Sequence, residues 1–420
     1  MAARRIAVLA TVDTKLAETR FVAEQIHRHH GHPVVINLGT EDVDDPLVSV
    51  TQRDVRAAAG QIPPVPSKVE LLESAAVGAQ IVLRQGIAAG EIDAVLALGG
   101  GQGSWMAATA LRELPLGFPR LLVSTAGRDV GQYTGFSDLA SVFSLTDIAG
   151  LNPLLTRVLA TAAAGICGMA RADAWRQPLP VGLTAMTVYG ITTPGARLVM
   201  AELASQGLES VAFHANGVGG PTMEGQIASG TFQAVLDWSI TEVADDVVGG
   251  ICAAGPDRLT HAPRMGLPQV IVPGGVDVVN FAEPERIPEH LRGRPIHAHT
   301  PQATLLRTNP AENRAIARVV ADRIRSTQAP ITVMVPLGGF SALSQADGPL
   351  VDPEADRAFF DTMSAELAAV DAVTVVAHPG AINSADFAAK VAQEFVDLVN
   401  HHLDASPRLP DTTRPGKASL

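Results

Sequence analysis

An apolar run from Ala94 to Leu98 stops abruptly at three glycines, and this junction constrains the fold more than any other stretch of the chain. A run this short fits a strand buried on both faces, as in a parallel sheet. The loop after it reads Gly99, Gly100, Gly101, Gln102, Gly103, Ser104, and residues 105–114, rich in Ala and Leu with no breaker, predict a helix whose first turn holds Ser104. Glycines in such a loop are free to take φ > 0 and let backbone amides approach a ligand, while the helix start adds about half a positive charge. The unit suits a phosphate or a carboxylate. It is not a Walker loop, since no Gly-Lys-Ser/Thr follows, nor a full dinucleotide fingerprint, since the third glycine of G-x-G-x-x-G is missing. A tight strand–helix turn without a ligand is the alternative.

The same grammar runs along the first half. Residues 5–10 read as a strand, residues 18–30 as a helix ending at Gly31, residues 33–38 as a strand and residues 121–124 as another. Strands alternating with helices indicate βαβ units and a parallel sheet, in which ligands sit beyond the carboxyl ends of the strands. Asp13, Thr14 and Lys15, the Gly99–Ser104 loop, and Ser124, Thr125, Ala126 and Gly127 all fall at such ends, so three strand ends are expected to converge on one crevice. Residues 60–68 carry three prolines and read as an excursion, a lid or an irregular connection.

With 420 residues, 47% hydrophobic and 4% aromatic, the chain has enough Ala, Val and Leu for a large core, and its length favours two domains or more. The net charge of −12, with no long block of either sign, argues against a sequence-independent grip on nucleic acid. Cys167 and Cys252 lack C-x-x-C spacing and read as buried thiols of a reducing cytoplasm. Residues 6–11 are too short for a signal-peptide core, and no stretch reaches the roughly 18 apolar residues of a membrane span. A cytoplasmic protein is expected.

A boundary falls near residues 177–179, giving units 1–178 and 179–404 and a mobile tail from 405 to 420. The alternation then restarts, with strands expected at 181–186, 211–214, 248–252, 269–272, 331–335 and 372–378 and a helix around 194–206. A second glycine turn, Asn216-Gly217-Val218-Gly219-Gly220, meets a helix beginning near Pro221. It puts His214 at a strand end and Glu224 in a first helical turn near one crevice. His214 suits acid, base or ligand work, or a satisfied structural role; Glu224 suits catalysis, or merely the helix dipole. Asp277 follows Pro273-Gly274-Gly275, and a like turn recurs at Pro336-Leu337-Gly338-Gly339-Phe340-Ser341, where no G-x-S-x-G elbow supports an acyl-enzyme serine. Arg307 is suited to a bidentate grip on an anion or to a plain salt bridge. His297 and His299 share a face of an extended segment, but no third zinc ligand follows from spacing. Asp347, Asp352, Glu354 and Asp356 read as a solvated loop and helix start.

In order, Thr11-Val12-Asp13-Thr14-Lys15, Leu98–Ser104, Phe213–Gly220 and Val335–Ser341 resemble the motifs of the Tm-1-like ATP-binding domain family, also catalogued as the uncharacterised family UPF0261. The resemblance spans about residues 5–402. It implies two Rossmann-like subdomains with parallel sheets, ATP and Mg²⁺ as bound cofactors, and paired subunits, hence a homodimer or higher homo-oligomer. It places the nucleotide at Asp13, Thr14, Lys15 and the Gly99–Ser104 loop. Ser104 stands where the family commonly has threonine, so a hydroxyl is kept. The motifs run out without the C-terminal barrel of the family's plant antiviral member, so antiviral inhibition is not expected to carry over.

The leading expectation is therefore nucleotide binding in the first half: Lys15 neutralising phosphate, Gly99–Ser104 cradling it, and Asp13 holding Mg²⁺ directly or through water. Two alternatives stand beside it. One is a small-molecule hydrolase, lyase or ligase at an interdomain cleft, using His214, Glu224, Asp277 and Arg307. The other is a protein-interaction module.

Overall fold

The computed structural model describes residues 3–60 and 66–405. The chain divides into two units, residues 1–178 and 179–420, each built on its own sheet. Residues 61–65 of the proline-rich connection, and the tail from 406 onward, lie outside the described residues.

The first unit runs β1 (Arg5–Ala10), α1 (Val12–Arg28), β2 (His32–Asn37), β3 (Val48–Val50), α2 (Gln52–Ala59), α3 (Lys68–Ala88), β4 (Ala94–Gly99), α4 (Gly101–Arg112), β5 (Arg120–Ser124), the single turn α5 (Gly131–Thr134), β6 (Ala140–Phe143) and α6 (Pro153–Met169). Its six strands are parallel, in the order β3-β2-β1-β4-β5-β6. That is a doubly wound sheet whose winding reverses between β1 and β4. Successive side chains of a strand point to opposite faces, so each strand feeds two cores. Ala7, Leu9, Val95 and Ala97 pack with α2, α3 and α4, while Ile6, Val8, Leu96 and Leu98 pack with α1 and α6.

The second unit runs β7 (Thr184–Val188), α7 (Thr193–Ser205), β8 (Ser210–His214), α8 (Gly219–Ala228), β9 (Ala234–Ser239), α9 (Thr241–Val248), α10 (His261–Met265), β10 (Gln269–Gly274), β11 (Val278–Phe281), β12 (Ile296–Thr300), β13 (Ala303–Arg307), α11 (Pro310–Ile324), β14 (Ile331–Pro336), α12 (Pro353–Leu367), β15 (Val373–His378) and α13 (Ala385–Ala405). The main sheet is again parallel, ordered β15-β14-β10-β9-β7-β8, and β11, β13 and β12 form a small antiparallel sheet inserted after β10. Both sheets flanked by helices match the expected Rossmann-like class.

Several local expectations are corrected. Residues 248–252 are not a strand: α9 ends at Val248, and Gly249, left-handed at φ 92°, turns the chain with its amide on the Asp245 carbonyl. The strand lies earlier, at β9, where Asp237, Trp238 and Ser239 hide it from a search for apolar runs although all six residues are buried. Helix α1 begins directly after β1, so Asp13 and Thr14 sit in its first turn; Lys15, at φ −132° and ψ 31°, interrupts the helical geometry. Helix α4 likewise begins at Gly101 rather than around Ser104.

Helices α2 and α3 meet at Gly78, where an added Cβ would stand 1.8 Å from the Val55 carbonyl oxygen. Gly78→Ala must push two helix backbones apart, which is expected to destabilise the chain by about 1–3 kcal/mol. Denaturant unfolding of the variant against wild type checks this, with Gly165→Ala, whose Cβ meets nothing within 4 Å, as the control in α6.

Candidate functional site

In the first unit a cavity of about 370 Å³ opens beyond the carboxyl ends of β1, β2 and β4, where the winding reverses. Thr11, Asp13, Thr14 and Lys15 line it from the start of α1, Leu38, Gly39 and Thr40 from beyond β2, Lys68 and Leu72 from α3, and Gly100, Gly101, Gln102, Gly103 and Met106 from α4. Gly100 is the N-cap of α4 and brings no side chain to it. The first amides of the helix, at Gly101, Gln102 and Gly103, therefore have no acceptor within it.

None of Gly99, Gly100, Gly101 and Gly103 adopts positive φ, against expectation. Gly99 serves close approach instead: a Cβ on it would stand 2.2 Å from the Ser104 amide nitrogen, so only glycine lets α4 start so near the strand end. The Ser104 hydroxyl is buried between the Gly99 carbonyl (2.9 Å) and the Ser124 hydroxyl (2.7 Å) and ties β4 to β5 rather than facing the cavity. Ser124, Thr125, Ala126 and Gly127 form the turn after β5, held by Ala126 N–H to Ser124 Oγ (3.0 Å) and Thr125 N–H to the Gly99 carbonyl (3.2 Å), and none of them lines the cavity.

Asp13 sits against Gly39, whose Cβ, if present, would lie 2.5 Å from the carboxyl carbon. Its Oδ2 accepts the Thr40 and Glu41 amides at 2.9 and 3.2 Å, while its buried Oδ1 has no partner. Buried Asn37 accepts the Val12 and Gly39 amides at 3.0 and 2.8 Å and so satisfies the start of α1. The Lys15 ammonium donates to the Ile148 carbonyl at 2.6 Å. A second cavity of about 340 Å³ adjoins the first, sharing Leu72, Gly101 and Gln102, with Val69, Glu73, Trp105 and Tyr133 completing its wall. The sequence reading missed Asn37, Lys68, Trp105 and Tyr133. Of these, Lys68 stands at the end of the proline-rich connection at residues 60–68.

The second glycine turn is built differently. Glu242 Oε1 accepts the Gly217 and Gly220 amides at 2.8 and 3.1 Å, so the start of α8 is filled by the chain's own carboxylate. Glu242 Oε2 in turn accepts Arg258 Nε at 2.9 Å. The fully buried Arg258 also donates to Glu224 (3.2 Å) and to Asp237. Glu224 further accepts the Leu259 and His261 amides at 2.6 and 3.0 Å and lies 3.0 Å from the His261 ring nitrogen Nδ1. Burial pushes the Glu224 carboxyl up, but the His261 bond, the Arg258 charge and the two backbone donors outweigh it and hold it below the ordinary carboxylate range. Arg258, in a loop with no pattern around it, escaped the sequence reading.

The remaining candidates have their own partners. His214 is exposed and its ring stacks on Tyr189, centroids 6.0 Å apart. The Tyr189 hydroxyl donates to Asn280 (2.6 Å), whose side-chain and backbone N–H donate to Asp245 at 2.6 and 2.8 Å. Asp277 Oδ2 accepts the Ser341 hydroxyl at 2.5 Å, and Oδ1 is buried without a partner. Arg307 is buried and donates to Asp356 (2.6 Å) and to the Asp277 and Asp352 carbonyls (3.1 and 2.9 Å), so Asp356 is an interior ion-pair partner and not a solvated residue. Arg307 and Asp277 are thus joined through the Asp277 carbonyl, whereas His214 and Glu224 are each bound to other neighbours. The His297 and His299 rings lie 6.4 Å apart on β12, and among the described residues no group of three or more His, Cys, Asp or Glu is placed to hold a metal. The Cys252 thiol is pushed up to about 12 by burial and by Asp245 and Glu242, so it stays protonated and unreactive. No described helix is long and apolar enough to cross a membrane.

Fold and site define a pair of doubly wound α/β units, the first with a cavity at its strand ends. Family models place the particular protein: residues 4–174 match the N-terminal domain, and residues 182–399 the C-terminal domain, of the uncharacterised protein family UPF0261. The chain belongs to that family. It is 32% identical to a UPF0261 protein of Clostridium tetani over 94% of this chain and 99% of the relative, and 35% identical to one from Mesorhizobium japonicum over 95% and 100%. It is also 31% identical to the ToMV susceptible protein tm-1(GCR26) of Solanum lycopersicum, over 94% of this chain and 56% of the tomato protein.

Burial raises the Asp245 carboxyl from 3.8 to about 7, against the opposing bonds from Asn280. The folded state therefore holds this proton more tightly than the unfolded chain does, and stability falls as pH rises from about 4 to about 7, levelling off above. Asp245→Asn is expected to flatten that part of the curve. Urea unfolding of both proteins across the window decides it: equal slopes would mean that Asp245 titrates normally.

Proposed function

We infer that the first unit binds a nucleoside triphosphate, in the first instance ATP, together with Mg²⁺. The observation that carries this reading is the start of α4: three amides without a helical acceptor and a glycine cap, facing a cavity at the winding reversal. Such a terminus attracts phosphate through its free amides and its dipole. The contrast with α8, whose equivalent donors are spent on Glu242, favours the first unit over the second.

The surrounding groups support the same ligand. Lys15 and Lys68 line the cavity and would neutralise phosphate charge. Asp13 Oδ1, buried at the cavity and lacking a partner, fits a cation that keeps most of its water and takes its other ligands from phosphate. When bound, Mg²⁺ would draw charge from the phosphate oxygens. Trp105 and Tyr133 in the adjoining cavity offer flat apolar surface for a base, within reach of phosphates seated on Gly101 and Gln102. Resemblance to the Tm-1-like ATP-binding family points the same way.

Calorimetric titration with ATP and Mg²⁺ tests the reading, and absence of heat at millimolar nucleotide overturns it. Gly101→Val is expected to abolish binding without lowering the melting temperature, because a Cβ there meets nothing within 4 Å and projects from a residue shared by both cavities. Asp13→Asn, which removes one charge-assisted contact, is expected to weaken Mg²⁺-dependent binding about tenfold or more.

A further inference from the structure

The ammonium of Lys15 stands at a junction between the cavity and a loop that carries no part of it. Lys15 lines the cavity, yet its Nζ is spent on the Ile148 carbonyl at 2.6 Å. Its backbone departs from helical geometry inside α1, which lets the side chain reach the loop joining β6 to α6. A further tether lies close by: Glu18 Oε1 accepts the Gly150 amide at 2.6 Å. Between β6 and these tethers the loop is strained. Leu145 is left-handed at φ 63°, a conformation that a leucine rarely adopts, and its side chain is 63% exposed. Phe143, Leu151 and Leu154 around it are also exposed.

We propose that an anion seated in the cavity draws Lys15 off the Ile148 carbonyl and so loosens the loop at residues 145–151, coupling occupancy of the cavity to the exposed apolar segment. The inference rests on the nucleotide reading above. The driving force is the difference in acceptor: a phosphate bears full negative charge, a carbonyl only a dipole, and an ammonium prefers the former. A carbonyl that loses its donor gains nothing in exchange, and the strained Leu145 backbone is free to relax. The Glu18 tether and the buried Ile148 side chain keep the loop attached, so the response is local opening, not unfolding.

Amide hydrogen exchange of the full chain, with and without saturating ATP and Mg²⁺ and in parallel with inorganic pyrophosphate, reads the coupling. Loss of one charge-assisted bond is expected to raise exchange over residues 145–151 about tenfold on ligand binding. In Lys15→Met the same amides are expected to exchange fast already without ligand, and ligand should add nothing. Calorimetric binding in wild type with unchanged or slower loop exchange overturns the coupling and leaves nucleotide binding standing. No calorimetric binding overturns both. A ligand-driven acceleration that survives in Lys15→Met overturns the role of Lys15, and the wild-type comparison stands whether or not that variant folds.

Discussion

A helix that starts at the end of a buried parallel strand brings with it amides that neither the sheet nor the helix can satisfy. Several strand–helix junctions of this chain meet that demand with a side chain from elsewhere in the fold. Asn37 serves the start of α1, Asn383 the Gly195 amide near the start of α7 at 2.9 Å, and Glu242 the start of α8. At α4 no side chain does so, and there the cavity lies. The start of α9 also lacks a capping side chain, so the uncapped start of α4 marks the site only together with the cavity beside it.

The interior carboxylate at α8 has its own requirement, because a buried charge is tolerated only when paired and hydrogen-bonded. Arg258 supplies the pairing, and in doing so gathers Glu224 and Asp237 from α8 and β9. Three carboxylates around one guanidinium leave an excess of negative charge that backbone and side-chain donors must moderate: the amides of Leu259, His261, Gly217 and Gly220, the Gln269 amide group at 2.7 Å and the Thr187 hydroxyl at 3.2 Å. Removing Arg258 from such a network costs about 3–5 kcal/mol or more because the buried carboxylates are left uncompensated. A loop arginine with no sequence signature thus ties α8 and α9 to β9.

How far the chain could be read in advance follows from the same physics. The strand at β4 was legible because it is apolar throughout and ends at glycines; β9 was not, because Asp237 is polar and its compensation, Arg258, comes from a distant loop. The first-unit residues Asp13, Lys15 and Gly100 to Gly103 were readable as strand-end groups and do share one cavity, whereas Ser104 turns inward to Ser124 for reasons of packing that spacing does not encode. In the second unit, polar residues at strand ends looked like surplus. Their partners, such as Asp356 for Arg307 and Ser341 for one oxygen of Asp277, are remote in sequence, so only the folded chain shows them.

The two strand orders carry one more consequence. Counted within its own unit, the first sheet runs 3-2-1-4-5-6, and the second, with its antiparallel insert set aside, 2-1-3-4-5-6. No rotation superimposes one connectivity on the other, since the winding reverses after the third strand in one half and after the second in the other. The glycine turns that recur in both halves therefore express the shared geometry of strand–helix junctions, and the two units do not repeat one another strand for strand.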